Sequence, residues 1–253
     1  MAGMTDDLFR QDAYLRECSA HITAVTEAGI VLDRTVFYPL GGGQAGDSGV
    51  LMLADGTELA IVDTRKGKDA EGNATNNIVH VPAPGQEALL AALAPGTTVT
   101  ARIDWERRHR MMRLHTTSHL LCHVVPQLVN GCSITPDYAR LDFAMTDPLD
   151  KEQLTAAIAA MVAAAHPLTV ASISDEELDA NPALVKSMSV QPPRGTGRIR
   201  TIRIGGEGDA PLIDLQPCGG THVANTAEIG AIVVTKIEKK SATTRRVVLG
   251  FAP

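Results

Sequence analysis

Apolar and polar positions over residues 14–104 form short runs broken by turn residues, a pattern that predicts strands. Ile30-Val31-Leu32 follows Glu27-Ala28-Gly29, which reads as a hairpin turn. Residues 50–53 and 59–62 flank Asp55-Gly56, a pair suited to a tight primed turn. Residues 78–81 and 99–103 continue the strands, with a short helix predicted over residues 86–93. So many short strands in so few residues predict a small β-barrel or a curled sheet.

The pattern changes at Asp104, whose carboxylate can cap a helix running from Trp105 to about residue 128. At about 100° per residue, Met111, Leu114, Leu121, Val125 and Leu128 fall on one apolar stripe, with His115 and His119 beside it at the rim of the buried face. A strand over 140–145, a helix over 151–165 and a strand over 168–173 follow, and Ser174-Asp175-Glu176-Glu177 matches a capping box. Strands over 199–204, 212–215, 231–237 and 247–251 complete the chain. The fold class is α+β, with helices layered on mainly antiparallel sheet. Two domains are expected, residues 1–104 and 105–253.

At 253 residues and 44% hydrophobic content the chain can bury a substantial core in two domains of this size. Its net charge of -6 excludes a uniformly basic coat for nucleic acid. That sum hides an asymmetry. Residues 1–104 carry 7 basic against 14 acidic side chains and the remainder 16 against 15, so a polyanion has to be met by local patches in the second part. No apolar run approaches the roughly 20 residues that span a bilayer, and the start lacks the pattern of a signal peptide. Cys18, Cys122, Cys132 and Cys218 follow no disulfide framework, and a reducing, cytoplasmic setting is expected.

Two local motifs carry the chemistry. His115-Thr116-Thr117-Ser118-His119 places two imidazoles four positions apart on a predicted helix, and Cys218-Gly219-Gly220-Thr221-His222 places a thiol and an imidazole around two glycines. Together they offer the four N and S donors that a tetrahedral Zn2+ requires. Either half alone has an ordinary explanation in packing or surface chemistry; the pair together does not. A metalloprotease needs a glutamate directly after the first histidine, and Thr116 stands there.

Those motifs, read through to Leu121 and Val223, resemble the zinc motif pair of the alanyl-tRNA editing proteins, relatives of the editing domain of alanyl-tRNA synthetase. Residues 37–49, Phe-Tyr-Pro-Leu-Gly-Gly-Gly-Gln-Ala-Gly-Asp-Ser-Gly, resemble that family's glycine-rich signature. Arg140-Leu141-Asp142-Phe143 and Asn225-Thr226-Ala227-Glu228-Ile229-Gly230 resemble two further motifs in the same order. Val129-Asn130-Gly131-Cys132-Ser133 departs from the glutamine-bearing version in full synthetases, so no pocket residue carries over there.

The resemblance implies a small N-terminal β-barrel followed by a two-layer α/β editing domain, and hydrolysis in trans of tRNA for alanine mischarged with serine or glycine. Serine is alanine plus a hydroxyl, which a first binding pocket rejects only about 10²-fold, so a second site must hold that hydroxyl. Thr116, Thr117, Ser118 and Asp142 are the candidates, although helix hydroxyls also bond back to the preceding turn. For the tRNA, Gly41, Gly42, Gly43 and Gln44 form a candidate loop over the acceptor end. Arg107 and Arg108, and Lys239, Lys240, Arg245 and Arg246, are candidate phosphate contacts, with Arg194, Arg198, Arg200 and Arg203 a further basic cluster. Two other readings stand beside this one: a zinc-stabilised RNA-binding module without catalysis, and an editing domain of the threonyl-synthetase type.

Overall fold

The computed structural model describes residues 4–69, 71–189, 191–192, 197–206, 208 and 211–253; Arg194 of the predicted basic cluster lies outside them. The chain is mixed α+β with mostly antiparallel sheets. It divides into two compact units: residues 1–41 with 45–109, and residues 42–44 with 110–253. The division falls inside a helix, after His109, and gives Gly42, Gly43 and Gln44 to the second unit.

In the first unit the elements are β1 (Asp6–Asp7), α1 (Leu8–Gln11), β2 (Glu17–Thr26), β3 (Gly29–Leu32), β4 (Arg34–Thr35), β5 (Gly49–Leu53), β6 (Glu58–Lys68), β7 (Ala74–Pro82), α2 (Glu87–Ala91) and β8 (Thr98–Ile103). Strand pairing runs β2-β3-β7-β6-β5-β8 and closes on itself, β8 returning antiparallel to β2. The alternation read from the sequence sets which side chains fill it. Ala20, Ile22, Ile30, Leu32, Leu51, Leu59, Ile61, Val99, Ala101 and Ile103 form one buried cluster, joined by Phe37. The link between β5 and β6 is longer than the expected tight turn, because Leu53 N–H already bonds to Thr57 O at 2.8 Å and Gly56 takes φ 85° inside the loop.

His80 is fully buried in this unit, its Nδ1 on Ile30 O at 3.0 Å and its Nε2 on the Thr35 hydroxyl at 2.8 Å. A carbonyl only accepts, so Nδ1 carries a proton. Burial takes its pKa from 6.5 down to about 4. Between those values the unfolded chain binds a proton that the folded one does not, so the contribution is complete above pH 6.5 and is lost as pH falls toward 4. The expected loss is about 3 kcal/mol of unfolding free energy. Urea titrations across that window should show it in the wild type and show a shallower fall in His80→Gln; equal slopes would contradict the assignment.

α3 (Trp105–Val124) starts as expected, with the Asp104 carboxylate accepting from the Arg107 amide at 3.1 Å. It ends earlier than predicted, because Pro126 disfavours helical geometry just before it. Leu128, assigned to the apolar stripe, lies beyond the helix and is 49% exposed. Nor is there a single stripe: Met111, Met112, Leu114 and every residue from His115 to Cys122 are buried. The histidines are therefore interior residues rather than rim residues.

The second unit continues with β9 (Val129–Ile134), β10 (Tyr138–Ala144), α4 (Lys151–Ala163), β11 (Leu168–Ile173), α5 (Asp175–Ala180), β12 (Ile199–Gly205), β13 (Leu212–Pro217), β14 (Ile232–Ser241) and β15 (Thr244–Phe251). Two antiparallel sheets result, in the orders β14-β15-β10-β9 and β11-β12-β13, and α4 packs on β14. The capping box at Ser174 forms as read, with Glu177 closing it. Strand β9 had no expectation, because Asn130-Gly131 interrupts its apolar pattern. Among the described residues no helix is long and apolar enough to cross a membrane.

Candidate metal centre

His115 and His119 lie one turn apart on α3, and Cys218 and His222 open and close the loop after β13. One donor atom from each of the four lies within 4.8 Å of all the others. A tetrahedron with bonds of about 2.0–2.3 Å has corners about 3.3–3.8 Å apart. Cys218 Sγ stands 3.5 Å from His115 Nε2 and 3.3 Å from His222 Nε2, which fits that spacing.

Each imidazole is held by its other nitrogen. His115 Nδ1 meets Gln44 Oε1 at 2.8 Å, His119 Nδ1 meets Asp214 Oδ2 at 2.8 Å, and His222 Nδ1 meets the Thr116 hydroxyl at 3.2 Å. An outward Nδ1 bond leaves Nε2 facing the centre, the orientation that metal-ligating histidines take from their outer partners. Gln44 is itself fixed, since its Oε1 accepts from Thr221 N–H at 3.0 Å and its amide donates to the Thr221 hydroxyl at 2.9 Å. Arg200 pins the loop from below, donating to the carbonyls of Cys218 at 2.7 Å and Gly220 at 3.1 Å. Gly220 has to be glycine because a Cβ there would stand 2.1 Å from His115 Cε1.

The electrostatics favour a thiolate. Burial pushes the Cys218 thiol up, yet His115 and His222 draw it well below its ordinary range. Burial, seconded by the charge of His115, holds His222 far below 6.5 and so neutral. His119 goes the other way: burial opposes its charged form, but hydrogen bonding to Asp214 and the neighbouring Cys218 raise it to about 9. Asp214, which burial alone would raise, is brought to about 2 by His119 and Lys186. A thiolate and imidazoles with inward Nε2 atoms are the chemistry of a zinc site, so the residues fit the ion.

The chain is 31% identical to the alanyl-tRNA editing protein AlaX-M of Saccharolobus solfataricus, over 99% of its own length and 100% of that protein. The chain belongs to the alanyl-tRNA editing protein family. It is also 32% identical to the AlaX-M protein of Methanosarcina acetivorans, over 96% of this chain and 97% of that one. It is 35% identical to the alanine--tRNA ligase of Hyperthermus butylicus, covering 93% of this chain and 24% of that much longer enzyme. The family described as the threonyl and alanyl tRNA synthetase second additional domain matches residues 199–248, and class II (A) tRNA synthetases match residues 10–107.

The other candidate residues of this editing-family chain are placed less simply. Thr117 and Ser118 donate their hydroxyls to the carbonyls of Arg113 and Leu114, four residues back, so helix back-bonding claims both. Thr116 serves His222 and also accepts from Val223 N–H at 3.3 Å. Asp142 has both oxygens on Arg246 of the adjacent strand, at 2.7 and 2.8 Å, so two residues expected to act separately hold each other.

Three expected tRNA contacts are corrected. Arg108 is fully buried, paired with Asp47 and donating to the carbonyls of Ala13 and Val36, so it presents no charge to a phosphate. Gln44 is equally buried and works on His115. Arg245 is 9% exposed and spends its guanidinium on the carbonyls of Ser241, Thr244 and Thr146. Arg107 is half-buried on Gly46 O and Gly41 is half-buried, while Gly42, Lys239 and Lys240 are exposed. Gly43 instead lies against Cys132, where a Cβ would meet the sulfur at 2.3 Å. Asp214 and Gln216 escaped notice as site residues, and Arg200 was read only as part of a basic cluster, although Asp214 and Gln216 stand four and two residues before Cys218 on one face of β13 and could have been read from that spacing.

Proposed function

We propose that the protein is a free-standing hydrolase that removes serine, or glycine, from mischarged tRNA for alanine, at a zinc ion held by His115, His119, Cys218 and His222. The observation that carries this reading is the convergence of one thiolate and three imidazoles, each ring fixed from outside, in a chain whose full-length relatives are named alanyl-tRNA editing proteins. Bound there, zinc would supply a positive charge that orients the aminoacyl group and polarises its ester carbonyl. Gln44, Asp214 and Thr116 hold the rings in place before substrate arrives, and Arg200 holds the loop. Preorganised groups of this kind contribute most when they need not rearrange during reaction. Exposed Lys239 and Lys240 are the cations we retain for the acceptor-stem phosphates, whose contacts position without reading sequence.

One observation favours a second reading, a zinc-stabilised RNA-binding module: four protein donors already complete a tetrahedron. Hydrolysis decides between them. Purified protein should accelerate release of serine from Ser-tRNA for alanine, act on Gly-tRNA, spare Ala-tRNA, and lose activity with a chelator until zinc is returned. A binder would instead slow spontaneous release from all three. Preference for mischarged tRNA for threonine would point to the threonyl-synthetase type.

A further inference from the structure

Asp214 and Lys186 stand behind His119. Asp214 is 2% exposed on β13; its Oδ2 accepts from His119 Nδ1 at 2.8 Å and from Gln216 Nε2 at 2.7 Å, and its Oδ1 takes the Lys186 ammonium. Lys186 comes from a separate segment tied to β9, where Val129 N–H donates to Lys186 O and Met188 N–H to Val129 O, each at 2.9 Å. An ammonium only donates, so whatever atom faces it must accept. A carboxylate satisfies Lys186 and His119 at once because both of its oxygens accept.

We propose that Lys186 and Asp214 together set the tautomer of His119: Lys186 claims one oxygen, the other accepts the proton on Nδ1, and Nε2 is kept proton-free for a metal. Both are positioning residues, and the inference rests on the zinc reading of the four donors. Its consequence is specific to this arrangement. In Asp214→Asn the amide oxygen turns to Lys186 and the amide NH2 faces His119, which must then accept at Nδ1 and carry its proton on Nε2. Removing the ammonium as well, with Lys186→Met, frees the amide to turn its oxygen back to His119. A damaging substitution is thereby relieved by a second one, which a merely structural role does not produce.

The test is zinc competition against a chromophoric chelator on the full chain, with ¹⁵N spectra of the imidazole nitrogens. Asp214→Asn is expected to weaken zinc binding on the order of 100-fold, and the Asp214→Asn/Lys186→Met double variant to regain about tenfold of it. Lys186→Met alone should change affinity far less than Asp214→Asn. In the zinc-loaded wild type His119 should carry its proton on Nδ1, and in the zinc-free protein at alkaline pH, where the ring is neutral, it should do the same. A double variant as weak as or weaker than Asp214→Asn, or an Nε2–H tautomer in the folded wild type, overturns the proposal whether or not the variants fold. A wild type that takes up no zinc while showing Nδ1–H overturns the metal reading instead and leaves the tautomer assignment supported.

Discussion

Gly220→Ala is expected to weaken zinc binding on the order of 100-fold. The added methyl would lie 2.1 Å from His115 Cε1, 2.5 Å from its Nδ1 and 2.8 Å from Gln44 Oε1. Neither side can yield cheaply. His115 sits in the stretch of α3, residues 114–122, in which every side chain is buried, and the loop is fastened through the carbonyls of Cys218 and Gly220 to Arg200. Gly220 is not among the glycines with positive φ, so the effect comes from the clash and not from backbone strain. Gly41→Ala is the control, since its Cβ meets nothing nearer than 3.7 Å. Zinc titration of both variants checks this: a Gly220→Ala protein with wild-type affinity would mean that His115 does not stand where its Gln44 bond places it.

Asp47→Ala is expected to destabilise the first unit by about 3–5 kcal/mol, because it leaves the Arg108 charge buried without its counter-ion. Both side chains are 0% exposed, and Asp47 Oδ2 also accepts from Tyr38 N–H at 2.6 Å. Asp47→Leu combined with Arg108→Met should cost less than Asp47→Ala, since well-packed apolar replacements remove both charges together. Urea unfolding followed by circular dichroism reads this. A change below about 1 kcal/mol in Asp47→Ala would contradict the buried pair and reopen Arg108 as a surface charge.

The grouping of the four candidate donors was legible because each half-site is local. His115 and His119 are four positions apart, as are Cys218 and His222, so helix and loop geometry alone align each pair. The partners behind the donors were legible only in part. Asp214 and Gln216 stand four and two residues before Cys218 on one face of β13, a signal that period-two counting contains. Gln44 meets Thr221 across 177 residues of chain, and no local pattern encodes such a meeting. Arg108 was misjudged for the opposite reason. A run of arginines beside candidate chemistry reads as a phosphate patch, whereas burial of one of them depends on Asp47, 61 residues away. The early end of α3 was available in Pro126, but the burial of every side chain over residues 114–122 was not, because hydroxyl-rich His115-Thr116-Thr117-Ser118-His119 looks polar until its partners are known.

The proposed function requires that one zinc ion, held by these four side chains, would support hydrolysis of the ester. Zinc content and Ser-tRNA hydrolysis should be measured on the same preparations of wild type and Cys218→Ala. The expected result is one zinc per wild-type chain with rapid hydrolysis, and neither in Cys218→Ala. A zinc-free Cys218→Ala protein that still deacylates Ser-tRNA at the wild-type rate would contradict it.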